Sequence, residues 1–164
     1  MDDIELIAVA AVAENGVIGK HGEIPWPSVP ADRRQYRSRV ANDIVILGRR
    51  TYESMVDNPA GRVQIVLSRS VDDYDSDCVF VVETLEAAVA CTRNLGVSRA
   101  YVLGGGKIYA LSMPYLDQLL ISRIPGTYEG DTWFPSIDPS VWELTATTPN
   151  DGFILERWVR RSPQ

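Results

Sequence analysis

The chain has 164 residues, of which 45% are hydrophobic, and its formal net charge is −6 at pH 7. This length favours one domain, residues 1–164, with a sizeable core. The net charge argues against nucleic acid as the main partner. No run approaches the about 18 apolar residues of a membrane span, and the acidic start MDDIELIAV differs from a basic signal peptide. We therefore expect a cytoplasmic protein without a membrane partner.

Few side chains suit metal or nucleophilic chemistry. His21 is the only histidine, and we expect the two cysteines, Cys78 and Cys91, to be reduced and partly buried. These residues are too few for a usual structural zinc site, and no Ser-His-Asp arrangement has local support. We predict no metal, so carboxylates, hydroxyls, backbone groups or a cofactor must carry the chemistry.

The acidic chain is also poor in lysine. Only two of its 16 basic side chains, Lys20 and Lys107, are lysines. A high net charge is screened at high salt, so this composition would suit a salt-rich cytoplasm. A halophilic source is our hypothesis from this composition.

The first elements are a strand, a loop and a helix. The apolar run IELIAVAAVA (4–13) predicts a central strand covered on both faces. The segment 14–30 is rich in Gly and Pro and predicts a long functional loop, and 31–41 predicts a helix with Asp32 in its first turn. Later patterns predict strands at 44–48, 63–68, 78–82, 116–124, 141–148 and 153–160, helices at 49–55 and 84–96 (Thr84 and Gly96 as caps), and a strand, glycine turn and helix over 100–113.

This alternation predicts an α/β fold in one domain. About eight strands would form a mainly parallel sheet, with a C-terminal antiparallel hairpin and about four flanking helices. No linker or domain boundary is visible.

The stretch PWPSVPAD places three prolines before Asp32. Each proline fixes φ and removes a backbone donor, so the stretch is stiff. Asp32 has two interpretations. In the first, it is an ordinary acid in a first helical turn. In the second, it is a carboxylate held at a defined functional position, and the rigidity of the preceding stretch favours this interpretation.

Two strand-to-helix junctions, VILGRRTY (45–52) and YVLGGGKIY (101–109), resemble each other. Free N–H groups at a helix start bind phosphate, so two such junctions would hold the two ends of a dinucleotide. Neither matches GxGxxG or a P-loop. The alternatives stay open that the glycines only permit tight turns and that Arg49 and Arg50 are solvated.

In order and spacing, six blocks resemble the dihydrofolate reductase family: VIGKHGEIPW, PADRRQYR, VILGRRTYESM, AGRVQIVLSR, YVLGGGKIY and YEGDTWFP. The resemblance runs to about residue 135, and the strand tail fits as well. It implies NADPH-dependent reduction of 7,8-dihydrofolate to 5,6,7,8-tetrahydrofolate by a monomer, with hydride transfer to C6 and protonation at N5.

The resemblance implies a role for each matching residue. The Asp32 carboxylate would accept two parallel hydrogen bonds from the pterin, one from its 2-amino group and one from a ring N–H. Trp26 would order water beside the pterin and close the loop. The other implied substrate contacts are Val9, Tyr36 and Leu103 at the ring, Ser122 near its floor, and Arg62, with Arg37 as a helper, at the glutamyl carboxylate.

The implied cofactor contacts follow the same blocks. They are Ala11, Ile18 and Gly19 at the nicotinamide, Arg49, Arg50 and Thr51 at phosphates, Ser68 and Arg69 at the adenosine 2′-phosphate, and Gly104, Gly105, Gly106, Lys107, Ile108 and Tyr109 at the pyrophosphate and nicotinamide side. Gly104 and Gly105 match a pair joined by a cis peptide. Gly130 and Asp131 match a loop that braces the active-site loop, although Asp131 is alternatively a plain turn acid.

Two departures and two rivals remain. WPSVPAD is one residue longer than many bacterial forms, and MVDNPAG is acidic where several relatives are basic. One rival is the reductase of riboflavin biosynthesis, which has the same fold. The other is a non-catalytic nucleotide-binding module, which needs neither Asp32 nor Trp26.

Overall fold

The computed structural model describes residues 3–162. Within them, ten strands and four helices alternate along the chain. The strands are β1 (Glu5–Ala13), β2 (Val17–Gly19), β3 (Ile44–Gly48), β4 (Val63–Leu67), β5 (Val79–Val82), β6 (Arg99–Val102), β7 (Gln118–Ile124), β8 (Thr132–Trp133), β9 (Trp142–Asn150) and β10 (Phe153–Arg160). The helices are α1 (Pro30–Val40), α2 (Arg49–Ser54), α3 (Leu85–Asn94) and α4 (Gly106–Ser112), followed by a 3-10 turn at Met113–Tyr115.

Eight strands form one sheet in the order β5-β4-β3-β6-β1-β7-β10-β9. The pairs from β5 to β7 are all parallel, whereas β10 runs antiparallel to β7 and β9 antiparallel to β10. The chain therefore winds outward from β1 to β5, returns to insert β6 beside β1, and continues to the other edge. Ligands of open parallel sheets bind at the carboxyl ends of the strands beside such a reversal.

Alternate side chains of β1 belong to two different cores. Leu6 and Ala8 pack in a cluster with residues of α3 and α4, whereas Ile7 and Val9 pack in a cluster with residues of α1 and α2. A strand covered on both faces needs the continuous apolar run that β1 has. The expected α/β fold with its mainly parallel sheet, four helices and antiparallel hairpin is confirmed.

Three details differ from the expectation. The predicted loop 14–30 contains β2, which pairs with β8 in a separate two-stranded sheet. These strands are too short to leave a periodic pattern. The α3 C-cap is Leu95, and Gly96 follows it with a φ of +80°. Cys78 is exposed, whereas Cys91 is half-buried as expected.

No helix in the described part of the chain is long and apolar enough to cross a membrane. The same residues contain no cluster of three or more His, Cys, Asp or Glu side chains arranged to hold a metal ion.

Candidate active site

The proline-rich lead-in to α1 ends at a buried carboxylate. Pro30 lies in the first turn of α1, where its missing N–H removes no helical hydrogen bond. The Asp32 N–H donates to the carbonyl of Val29 at 3.1 Å, and the Asp32 side chain is only 9% exposed. A solvated acid at a helix start does not account for this burial, because a buried carboxylate needs donors in place of water.

Two side chains supply such donors to one oxygen of Asp32. Ser122 Oγ, on β7, donates to Asp32 Oδ1, and Gln35 Nε2 donates to the same oxygen at 3.0 Å. Gln35 Nε2 also donates to Ser122 Oγ at 3.3 Å. The three side chains form a closed ring, which we call the Asp32 ring. Within residues 3–162, no hydrogen bond reaches Asp32 Oδ2.

The predicted walls of the substrate pocket lie on the α1 side of the sheet. Val9 is buried in the cluster beneath α1, and Tyr36 and Leu103 are half-buried against the same cluster. Tyr36 lies about one helical turn after Asp32. The structure therefore brings Val9, Tyr36 and Leu103 together, and Tyr36 lies on the same helix as Asp32.

Trp26 is buried in a third cluster with Val17 and Phe153. Its ring meets Tyr128 edge-on, with 5.8 Å between the ring centroids. Trp26 thus packs with Val17 of its own 14–30 segment and with Tyr128 of a later segment.

Tyr109 serves the fold as well as the predicted site. Its hydroxyl donates to the Val9 carbonyl at 2.6 Å, and its ring centroid lies 5.0 Å from that of Phe134. Burial, before any charge effect, raises the pKa of Tyr109 well above its usual range. Tyr109 was predicted at the cofactor, and its hydroxyl ties α4 to β1.

The two glycines before α4, Gly104 and Gly105, have different surroundings. Gly104 has a φ of +104° and is joined to Gly105 by a cis peptide, as the resemblance implies. The Gly48 N–H donates to the Gly104 carbonyl at 2.8 Å, which joins the two glycine junctions. A Cβ on Gly104 would lie 2.9 Å from the Tyr109 ring, whereas a Cβ on Gly105 would meet only Thr51 Oγ1, at 3.5 Å. A Cβ would therefore fit at Gly105 but not at Gly104.

The residues predicted at the nicotinamide converge from three elements. Ala11 is half-buried and pairs with Ser122 in the ladder of β1 and β7. A Cβ on Gly106 would lie 2.5 Å from Thr132 Cγ2 and 3.9 Å from Ile18 Cδ1. Gly106 therefore lets β2, β8 and the start of α4 approach each other. Gly19 lies in β2, and Ile108 lies in α4 close to Gly48.

The predicted phosphate contacts are near the surface. Arg50, Arg69 and Lys107 are exposed. Arg49 Nη1 is paired with Glu53 Oε1 at 3.0 Å, so a phosphate would compete with this carboxylate. Ser68 Oγ accepts the backbone N–H groups of Ser70 and Val71 at 3.2 and 3.1 Å, which shapes the turn after β4.

Glu53 also organises a neighbouring tyrosine. Tyr74 OH donates to Glu53 Oε2 at 2.8 Å, and the Tyr74 and Tyr52 ring centroids are 4.7 Å apart. Burial, followed by the Glu53 carboxylate, raises the pKa of Tyr74 to about 12. Tyr74 is therefore a neutral hydrogen-bond donor at physiological pH.

An exposed set of contacts, which we call the loop brace, joins residues 15–21 to residues 128–132. The Asp131 N–H donates to the Gly19 carbonyl at 3.0 Å, and the His21 N–H donates to Asp131 Oδ2 at 2.9 Å. Thr132 Oγ1 donates to Asp131 Oδ1 at 2.9 Å. The pKa of Asp131 is lowered, first by the His21 N–H and then by the Thr132 hydroxyl.

The loop brace also contains an exposed ion pair and a close approach between its two segments. Lys20 Nζ and Glu129 Oε2 are 3.2 Å apart, with side chains 41% and 91% exposed. A Cβ on Gly130 would lie 2.3 Å from Val17 Cγ1, so only glycine permits this approach. A cleft of about 430 Å³ lies beside the loop brace but does not reach Asp32. The chemistry is therefore assigned from the buried carboxylate and not from this cleft.

The two arginines predicted at the glutamyl carboxylate differ in setting. Arg62 is exposed, and its Nε donates to the Asn42 carbonyl at 3.3 Å. Arg37 is half-buried, and its Nε is buried without a hydrogen-bond partner among residues 3–162.

Sequence reasoning missed Gln35. Its spacing of three residues from Asp32 places the two side chains on one face of a helix, which was the available signal. Glutamine is common on exposed helix faces, so the spacing alone did not single it out.

Comparisons with known proteins give the family. The family model for dihydrofolate reductase matches residues 5–152. The chain is 35% identical to "Dihydrofolate reductase 1" of Haloarcula marismortui, over 99% of this chain and 95% of that protein. It is 32% identical to "Dihydrofolate reductase HdrB" of Haloferax volcanii, over 98% and 86%.

A solved structure agrees with these sequence relatives. Dihydrofolate reductase from Enterococcus faecalis, complexed with NADP(H) and RAB-propyl, superimposes with a TM-score of 0.82 at 34% identity, over 96% of this chain and 97% of that one. Family model, relatives and structure agree over nearly the whole length. The chain belongs to the dihydrofolate reductase family.

Proposed function

We propose that this chain reduces 7,8-dihydrofolate to 5,6,7,8-tetrahydrofolate with NADPH. The observation that carries the proposal is the buried carboxylate of Asp32 in a member of the dihydrofolate reductase family; its Oδ1 is held by Ser122 and Gln35, and its Oδ2 accepts no hydrogen bond from the described residues. The pterin ring has two parallel donors, its 2-amino group and a ring N–H. A carboxylate accepts such a pair with charge assistance, and burial strengthens the interaction.

The residues around Asp32 would hold and protonate the ring. Val9, Tyr36 and Leu103 would line it, and Ser122 would fix the carboxylate from below. We propose that a water admitted beside the 14–30 segment delivers the proton to N5, while Asp32 favours the tautomer that accepts it. Trp26, packed against Tyr128, would order that water and close the segment.

The glutamyl tail would leave the pocket toward Arg62 and Arg37. A guanidinium matches a carboxylate with two parallel N–H groups. The buried Nε of Arg37, which lacks a partner in the described residues, supports a role for Arg37 beside Arg62.

The cofactor site fits a dinucleotide that carries phosphates. A pyrophosphate would lie against the backbone at Gly105, where a Cβ would meet only Thr51. Arg49, Arg50 and Thr51 offer cationic and hydroxyl donors on the adjacent junction. Ser68 and Arg69 would take the 2′-phosphate, and Ala11, Ile18 and Gly19 would flank the nicotinamide. Lys107, Ile108 and Tyr109 would complete this side through α4. When bound, NADPH supplies the hydride that reduces C6.

One assay tests the proposal. Purified protein with NADPH and dihydrofolate should oxidise NADPH, and methotrexate should abolish the signal. Turnover of a ribosylamino-pyrimidine phosphate in place of dihydrofolate would instead identify the riboflavin-type reductase. NADPH binding without turnover of either substrate would identify a non-catalytic module.

We further propose a monomer that works in a salt-rich cytoplasm. The acidic, lysine-poor composition supports a salt-rich cytoplasm. Two relatives come from Haloarcula and Haloferax. Activity and sedimentation should be measured together from low to high salt. Full activity at low salt would remove the halophilic interpretation, and a stable dimer would remove the monomer.

A further inference from the structure

We propose that Gln35 is a positioning residue that orients the Asp32 carboxylate for substrate. This inference rests on the proposed function, because it concerns how Asp32 meets the pterin. It assigns to a residue of the helix interior a role that its type and position alone would not suggest.

The evidence is the closed geometry of the Asp32 ring. Gln35 Nε2 lies 3.0 Å from Asp32 Oδ1 and 3.3 Å from Ser122 Oγ, so one N–H of the amide is shared between these two neighbouring acceptors. Ser122 Oγ donates its own hydrogen bond to Asp32 Oδ1. Asp32 Oδ1 therefore accepts two hydrogen bonds, and the carboxylate can rotate only if both break.

Chemistry fixes the orientation of the Gln35 amide. A carboxylate is only an acceptor, so the NH₂ end of the amide must face Asp32, and the opposite flip would set two acceptors against each other. Because both donors converge on Oδ1, they leave the lone pairs of Oδ2 to the donors of a ligand. Gln35 and Ser122 together thus decide which oxygen faces the pocket.

The amide is not arranged for stability alone. Gln35 Oε1 is buried and accepts no hydrogen bond from the described residues. An unsatisfied buried acceptor destabilises a fold, whereas an apolar group of the same shape avoids that cost. A different glutamine, Gln64, is buried in β4, and its Nε2 donates only to the backbone carbonyls of Ala60 and Gly61, at 2.8 and 3.1 Å. Gln64 is therefore a matched glutamine with a purely structural role.

The test compares Gln35→Met with Gln64→Met. Methionine keeps the length of glutamine but removes both polar groups. Gln35→Met should lower kcat/KM for dihydrofolate by about tenfold, or about 1.4 kcal/mol, mainly through the dihydrofolate KM. The KM for NADPH and the melting temperature should stay close to wild type. Gln64→Met should lower the melting temperature and leave kcat/KM unchanged.

A double-mutant cycle separates positioning from packing. If Gln35 acts through Asp32, Gln35→Met should change kcat/KM by no more than about twofold in an Asp32→Asn background. Additive losses would overturn the inference, as would a single Gln35→Met variant within about twofold of wild type. Should Gln35→Met not fold, Gln35→Leu carries the test, because leucine is apolar and cannot donate a hydrogen bond in any protonation state. It should lose at least about tenfold in kcat/KM, and full activity would overturn the inference.

These results are distinguishable from failure of the proposed function. A wild-type protein that does not reduce dihydrofolate removes the function, and the inference with it. A wild type that turns over dihydrofolate beside an unaffected Gln35→Met variant removes only the role of Gln35.

Discussion

The Asp32 ring and the loop brace each centre on an aspartate, but their surroundings are opposite. Asp32 is buried, and side chains from α1 and β7 hold it. Asp131 is half-exposed and is held by a backbone N–H and a neighbouring hydroxyl. Hydrogen bonds in a buried polar ring compete little with water, so the ring holds its members in one geometry. Exposed contacts exchange readily with water.

This difference suits the two tasks that we assign to the regions. A carboxylate that binds a charged transition state must be in place before the substrate arrives. A segment that admits and releases ligands must open at low cost. Substitutions in the Asp32 ring should therefore change kcat/KM for dihydrofolate. Substitutions in the loop brace should instead change how readily the loop opens.

The largest effect should be on stability, from a substitution at Gly104, which packs against the Tyr109 ring. Gly104→Ala places a methyl group 2.9 Å from the Tyr109 ring at a φ of +104°. Tyr109 cannot yield easily, because its hydroxyl is bound to Val9. We expect the melting temperature to fall by about 10 °C or more, equivalent to about 3 kcal/mol for a chain of this size. Thermal unfolding followed by circular dichroism measures this.

Gly105→Ala is the matched control for Gly104→Ala. The structure leaves room for a Cβ at Gly105 in the fold, so the melting temperature should stay near wild type. If the pyrophosphate lies there, NADPH affinity should fall about tenfold. Normal NADPH affinity would move the pyrophosphate elsewhere.

The cofactor arginines should give an intermediate effect. NADPH should exceed NADH in kcat/KM by at least about tenfold, or about 1.4 kcal/mol, and Arg49→Ala with Arg69→Ala should shrink this ratio. Arg93→Ala is the control, because Arg93 pairs with Asp3 and not with the junctions. A wild type without preference, or a double variant that keeps it fully, would contradict the placement.

The loop brace should give the smallest effect on chemistry. Asp131→Asn should change kcat/KM by no more than about threefold and barely change the melting temperature, while hydrogen exchange at the His21 amide speeds up. Because the pKa of Asp131 is lowered in the folded state, its contribution is present above the ordinary aspartate pKa and is lost as pH falls. The protection of the His21 amide against hydrogen exchange should therefore also fall in acid. If Asp131→Asn left the exchange rate of the His21 amide unchanged, the proposed role of Asp131 in the loop brace would be contradicted.

The sequence predicted much of the scaffold because strong local signals determine it. The apolar run of β1 required two covered faces, and Thr84 Oγ1 accepts the Ala87 N–H at 3.0 Å, as an N-cap should. The pairing of β2 with β8 was not predictable, because it joins residues more than a hundred positions apart through two very short strands. Local patterns carry no information about such contacts.

The candidate site was predictable in its residues but not in its connections. Asp32 stood out through the prolines before it. Its bond to Ser122 spans 90 positions, and the role of Gln35 depends on that bond. Tyr109 was assigned to the cofactor from its motif, and only the structure shows its hydroxyl on the Val9 carbonyl.

The most direct test of the account is kcat/KM for dihydrofolate in Asp32→Asn near neutral pH. The amide keeps the shape but loses the charge, and it sets a donor against the donors of the pterin. Since the protonated intermediate is positively charged, it should suffer more than the ground state. We predict a loss of at least about a hundredfold, or about 2.7 kcal/mol, with NADPH binding and melting temperature nearly unchanged. A variant within about fivefold of wild type, a loss of only about 1 kcal/mol, would contradict the account.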